Sequence, residues 1–162
     1  MSETDPVSQS EGGRLDCLFQ VIHKKALNDR LFVANLDFST SSKRVLDIGF
    51  GTAAWSEWMA SKYPRATIVG LDLDAYQPQR DRVVFPNLTL KYPVDYNEKD
   101  WAEPEASFDF AHIGMLLGCV SSWSNLYRRA IKSAASLLSI ARGILLTLSQ
   151  VSQAWCRAHR AH

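Results

Sequence analysis

Asp47, Gly49, Gly51 and Asp72 are the residues whose types and spacing could do chemistry. They lie in Val45-Leu46-Asp47-Ile48-Gly49-Phe50-Gly51-Thr52-Ala53-Ala54 and in Ile68-Val69-Gly70-Leu71-Asp72. Val45, Leu46 and Ile48 form the continuous apolar run of a strand buried on both faces of a parallel sheet. Gly49 and Gly51 allow backbone angles and a close ligand approach that a Cβ would block. The helix that follows aims its partly positive N-terminus at the ligand. A second apolar run ends in Asp72, about 20 residues past the glycines, where a carboxylate accepts hydrogen bonds from ribose hydroxyls. The pattern predicts a site for an adenosine-containing cofactor.

Two cofactor classes compete for it. Gly49-x-Gly51-x-x-Ala54 fits the dinucleotide fingerprint in its glycine/alanine form. Asp47 argues against that choice, because a carboxylate just before the first glycine would repel a pyrophosphate. The same carboxylate suits S-adenosylmethionine (SAM), which carries a sulfonium and an ammonium group and no phosphate. Asp-x-Gly-x-Gly is a signature of SAM-dependent methyltransferases. A nicotinamide-dependent oxidoreductase is the weaker reading.

The elements that must position these residues alternate along the chain. Met1 to Gly13 reads as a disordered leader. Leu15, Leu18, Phe19, Ile22 and Ala26 recur at three- and four-residue steps, predicting an amphipathic helix. After the glycine turn, Trp55, Trp58 and Met59 form a helix face that Pro64 ends. Strands are expected at Thr67 to Leu71, Leu88 to Tyr92, Phe108 to Ile113 and Ile144 to Leu148. The stripe Trp123, Leu126, Tyr127, Ala130, Ile131, Ala134, Leu137 and Leu138 predicts one long helix. Ser149 to His162 is a basic, polar tail. The expected fold is α/β: a doubly wound, mostly parallel sheet of five strands with helices on both faces, in one domain over residues 14–148.

Ligands in such sheets bind at the carboxyl ends of the strands, near the topological switch point. Asp47, Gly49, Phe50 and Gly51 would line the methionine end of the cofactor. Asp72 would take the ribose, and Leu73 would pack on the adenine edge. His112, at the end of the fourth strand, is a candidate base for a hydroxyl acceptor. His23, His159 and His162 have no partner pattern, and the four histidines make no defensible metal site.

Several further motifs stand in order. They are Arg44 to Thr52 with Trp55 and Met59, then Lys62-Tyr63-Pro64, Val69 to Leu73 with Gln77-Pro78, and Pro86-Asn87-Leu88. Pro93-Val94-Asp95-Tyr96 with Trp101, Ser107 to Ile113, Met115, Gly118-Cys119-Val120 and Ser122 to Arg129 follow. Over about Arg14 to Lys132 the chain resembles the fungal LaeA-like methyltransferases. The resemblance implies that Asp95 and Tyr96 meet the adenine, with the carboxylate accepting from its exocyclic amine. It implies either a SAM-dependent methyltransferase of secondary metabolism, with a small-molecule or protein acceptor, or a catalytically weak regulator acting through nuclear partner proteins.

Departures from the family matter. The family usually has Thr at Phe50 and Gly at Ala53, and each change would weaken SAM binding by about 1–3 kcal/mol through overpacking. Ile140-Ala141-Arg142-Gly143 lacks the proline of the family's Leu-x-Pro-Gly turn. The last two strands of the full seven-stranded sheet cannot be placed. The fifth strand would then be an open edge that a protein partner could cover.

Composition agrees with one soluble domain. At 162 residues with 46% hydrophobic content, the chain can bury one core. A net charge of +1 gives no general drive toward nucleic acid or an anionic membrane. Three scattered cysteines fit a reducing compartment, so an intracellular location, cytoplasmic or nuclear, is expected. No apolar run approaches the ~20 residues of a spanning helix.

Overall fold

A computed structural model describes residues 6–23, 27–32, 36–74, 84–98, 101, 103–114, 116 and 118–134. Its elements are α1 (Pro6–Val21), β1 (Arg44–Ile48), α2 (Ala54–Lys62), β2 (Thr67–Leu71), β3 (Leu88–Lys91), β4 (Phe110–Ile113) and α3 (Trp123–Ser133). The four strands form one sheet in the order β3-β2-β1-β4, with every pairing parallel.

Alternation along the strands divides the core in two. Val45, Ile68 and Phe110 face Phe19 of α1 and Trp55, Met59 and Ala60 of α2. Leu46, Ile48, Val69, Leu71, Ala111 and Ile113 face the opposite side, against Leu126 and Ala130 of α3. The strands are thus buried on both faces, as their unbroken apolar runs require. Each large apolar side chain taken out of water contributes roughly 1.5–3 kcal/mol. A one-residue slip of β1 would exchange its two faces and carry Asp47 into the apolar cluster under α3, so the register is strongly specified.

The strand order creates the site. The chain leaves β1 for β2 on one side, while β4 pairs on the other. The carboxyl ends of β1 and β4 therefore flank a switch point, where ligands of open α/β sheets bind.

Four boundaries differ from the sequence expectation. Helix α1 begins at Pro6, so Pro6 to Gly13 is helical where a leader is expected. Proline is well suited to a first helical position. Gly12 of this helix also lies against Thr52, a tertiary contact that composition alone does not reveal. Helix α3 stops at Ser133, and Ala134 is extended, bridging to Phe108. The Ala106 amide donates to the Lys132 carbonyl at 2.7 Å, and the Ser107 and Phe108 amides both donate to Ser133 at 2.9 and 3.0 Å. These bonds, made before β4, draw the chain out of the helix and override its apolar stripe. Strands β3 and β4 are each shorter than expected.

Residues 135–162 lie outside the described residues, and with them Leu137, Leu138, the expected fifth strand and the tail. Most of the connection from Asp74 to Pro86 does too. No helix among the described residues is long and apolar enough to cross a membrane.

Candidate active site

The turn after β1 is built from backbone that only glycine adopts readily. Gly49 and Gly51 have φ of +74° and +54°. A Cβ on Gly49 would come within 2.3 Å of Leu116 Cδ2, so the neighbour demands glycine as well. The Gly49 amide donates to the Leu71 carbonyl at 2.7 Å, and the Gly51 amide donates to Asp72 Oδ2 at 2.6 Å. Asp72 Oδ1 accepts from the Leu73 amide at 2.7 Å. The turn and the end of β2 are therefore one hydrogen-bonded unit. Burial pushes the Asp72 carboxyl above its ordinary 3.8; the Gly51, Asp74 and Leu73 amides pull it back, and the Asp47 charge pushes it up again.

Two bulky departures in the turn are accommodated differently. Phe50 is buried, with its ring over Gly70 of β2 and its centroid 6.2 Å from that of Tyr92. A Cβ on Gly70 would meet Phe50 Cδ1 at 3.0 Å, so the missing side chain of Gly70 makes room for the ring. Ala53, the N-cap of α2, is fully buried with φ 63° and ψ 12°. That is the left-handed region, which costs an L-residue with a Cβ about 1–2 kcal/mol.

Helix α1 covers the turn. Thr52 Oγ1 donates to Asp16 Oδ1 at 2.6 Å, and Leu15 Cδ1 lies 3.7 Å from where a Gly51 Cβ would be.

Asp47 and His112 are register partners on β1 and β4, and their side chains meet. Asp47 Oδ1 accepts from His112 Nδ1 at 2.9 Å, and Asp47 Oδ2 accepts from Ser56 Oγ at 2.5 Å. Asp47 is only 2% exposed, with its carboxylate turned toward α2. The His112 ring stacks on Trp55 with centroids 3.9 Å apart and planes within 2°. Close by, His23 donates from Nδ1 to the Arg30 carbonyl at 2.8 Å and packs on Phe19 and Trp58.

The loops after β3 and β4 form the remaining wall. Asp95 Oδ1 accepts from the Asn97 amide at 2.8 Å, making a tight turn. Tyr96 is buried, and its hydroxyl is pushed up to about 12 by burial first, then by Cys119, Asp72 and Asp95. Asn97 ties the two loops together: its side chain donates to the Cys119 carbonyl and accepts from the Ser121 amide at 2.8 Å.

This arrangement matches known proteins. Residues 22–161 match the family model described as a methyltransferase domain. The chain belongs to the methyltransferase-domain family. Among relatives of this chain, the secondary metabolism regulator laeA of Aspergillus fumisynnematus is 37% identical over 124 residues, 76% of this chain and 31% of that protein. The methyltransferase pytC of Aspergillus terreus is 37% identical over 125 residues, 76% of this chain and 36% of pytC. The laeA of Emericella nidulans, named a protein-methionine methyltransferase, is 35% identical over 124 residues, 76% of this chain and 31% of that protein. The chain thus spans about a third of the length of these relatives. A putative methyltransferase solved with the Haloferax volcanii Trm112 activator shares the fold, with a TM-score of 0.60 at 14% identity over 82% of this chain and 57% of that one.

Within the methyltransferase fold, Gly49, Gly51 and Asp72 converge as the sequence pattern predicts, and Leu73 follows, 57% exposed. Asp47 converges with His112 below the turn rather than beside Asp72. Ser56, Asp16 and Leu116 are contributors that the sequence reading missed. Ser56 was open to detection, because it lies beside Trp55 on the helix face that meets the sheet. Asp16 and Leu116 carry no such signal, since their contacts depend on how α1 and the loop after β4 fold over the turn.

Proposed function

We propose that this chain is the cofactor-holding portion of a SAM-dependent methyltransferase of the kind found in fungal secondary metabolism, acting on a small-molecule or protein acceptor. The observation that carries the reading is the Gly51–Asp72 bond beside the switch point. The residues present fit the cofactor. Asp72 accepts from the Gly51 and Leu73 amides and, at 3.4 Å, from the Asp74 amide; a carboxylate offers about four lone-pair sites, so capacity remains for a ribose hydroxyl. Gly49 and Gly51 let the backbone approach the methionine end, with Phe50 set aside on Gly70. Leu73 is free to pack on the adenine edge, and Asp95 can accept from its exocyclic amine beside Tyr96. Asp47 places a buried negative charge beneath the turn, which favours a cationic ligand over a pyrophosphate.

When bound, SAM supplies an electrophilic methyl group on a sulfonium. The protein's task is then to hold acceptor and methyl in line and in contact. Isothermal titration with SAM and with NAD tests the reading. Heat with SAM alone is expected; heat with NAD and none with SAM would overturn it.

A second reading is a regulator that keeps the fold with little turnover, favoured by the name of the Aspergillus fumisynnematus relative. On that reading a partner protein covers a sheet edge, and the site of action is intracellular, cytoplasmic or nuclear. The Haloferax volcanii methyltransferase, solved with an activator, supports the idea of a protein partner. SAM binding without transfer to any of a panel of acceptors would favour this second reading.

A further inference from the structure

We propose that His112 is the general base of this methyltransferase, and that its acceptor is therefore a protic nucleophile, an O–H or N–H group, rather than a thioether. This deepens the reading of the corner as a SAM site and rests on it. The geometry fixes the imidazole in three ways. A carboxylate oxygen accepts, and Asp47 already accepts from Ser56 through its other oxygen, so the contact is satisfied by the tautomer of His112 that carries its proton on Nδ1. The neutral ring then has an unprotonated Nε2, the form a base requires. Trp55, stacked flat at 3.9 Å, stops the ring from rotating.

The free edge of the ring points to the working end of the sheet. His112 lies in β4, whose carboxyl end flanks the switch point, and its side chain keeps 11% exposure. The Cε1–Nε2 edge runs past Gly114, where a Cβ would stand 2.8 Å from Cε1 and 3.3 Å from Nε2. Glycine at that position keeps the edge clear. The charged or titratable groups whose fields meet here are Asp47 on β1 and His23 just after α1, while α2 contributes Trp55 and Ser56, which do not titrate in this range.

A thioether sulfur has no proton to lose, so an oriented base would be idle in its methylation. A hydroxyl or a neutral amine carries a proton that must leave for a neutral product to form. In the step, the acceptor's lone pair forms the bond to the methyl carbon and the carbon–sulfur bond breaks with its electron pair going to sulfur. The acceptor's proton passes to His112 Nε2 and from there to solvent. Asp47 acts through His112 and is a positioning residue.

Long-range proton–nitrogen NMR on the full chain, labelled at histidine, reads the tautomer. The expected neutral form is protonated at Nδ1, its Nε2 signal moves when S-adenosylhomocysteine is added, and Asp47→Asn loses this tautomer preference. Transfer from labelled SAM is then measured to phenols, aliphatic alcohols and amines beside methionine peptides. Protic acceptors are expected to be labelled, with His112→Gln about 100-fold slower and its pH dependence flattened, while SAM affinity stays within about threefold. A proton on Nε2, or labelling confined to methionine peptides, overturns the proposal while leaving the SAM reading intact. No binding of S-adenosylhomocysteine overturns both.

Discussion

The Gly51 amide and the Asp72 carboxylate are joined by a 2.6 Å hydrogen bond, so one side chain serves both the glycine turn and the ligand. Asp72→Ala is expected to weaken SAM binding by about 1–3 kcal/mol, because the ribose loses its acceptor and the Gly51 amide its partner. Calorimetric titration of both proteins measures this. Equal affinities would put the ribose somewhere else.

Ala53 holds a left-handed conformation with a Cβ it does not need. Ala53→Gly is expected to stabilise the fold by roughly 0.5–1 kcal/mol, the relieved backbone strain outweighing the added freedom of the unfolded chain. A higher urea midpoint with an unchanged slope would bear this out. A lower midpoint would mean that the buried methyl matters more than the backbone angle.

Phe50 packs on β2 through the gap left by Gly70. Phe50→Thr, which installs the residue the family usually carries, is expected to cost about 2–4 kcal/mol of stability through the cavity it leaves. SAM affinity should change by less than about tenfold, a difference of 1.4 kcal/mol. A large gain in affinity with little loss of stability would show the ring crowding the cofactor instead.

His23 makes stability depend on pH. Burial holds its imidazole below the ordinary 6.5, opposed by the bond to the Arg30 carbonyl, with His112 lowering it further and Asp47 raising it. As pH falls through 6.5, the unfolded chain takes up a proton that the folded protein resists. Stability is therefore fully present above that pH and declines below it. Melting temperatures from about pH 8 to pH 5 should fall, and His23→Gln, whose amide can still donate to Arg30, should flatten the fall. An identical decline in the variant would assign it to other groups.

What the sequence disclosed follows from where each signal is encoded. The buried runs of β1 and β2, the glycines and Asp72 are local patterns with a fixed period, and they stand where that period puts them. The end of α3 was not legible, because the amides of Ala106, Ser107 and Phe108 take the carbonyls of Lys132 and Ser133 from far away in the chain. The Asp47–His112 pair lay halfway between. Each residue is conspicuous alone, but only the pairing of β1 directly with β4 makes them neighbours. The start of α1 at Pro6 was not legible, because the polar, glycine-containing stretch from Pro6 to Gly13 has no apolar period to mark a helix.

The bond from Thr52 to Asp16 gives that helix a second meaning. Any molecule that displaces the turn must stretch this contact or carry the amino-terminal segment along with it. Occupying the site and holding α1 in place are thus linked, and amide exchange along α1 becomes a gauge of what the site contains.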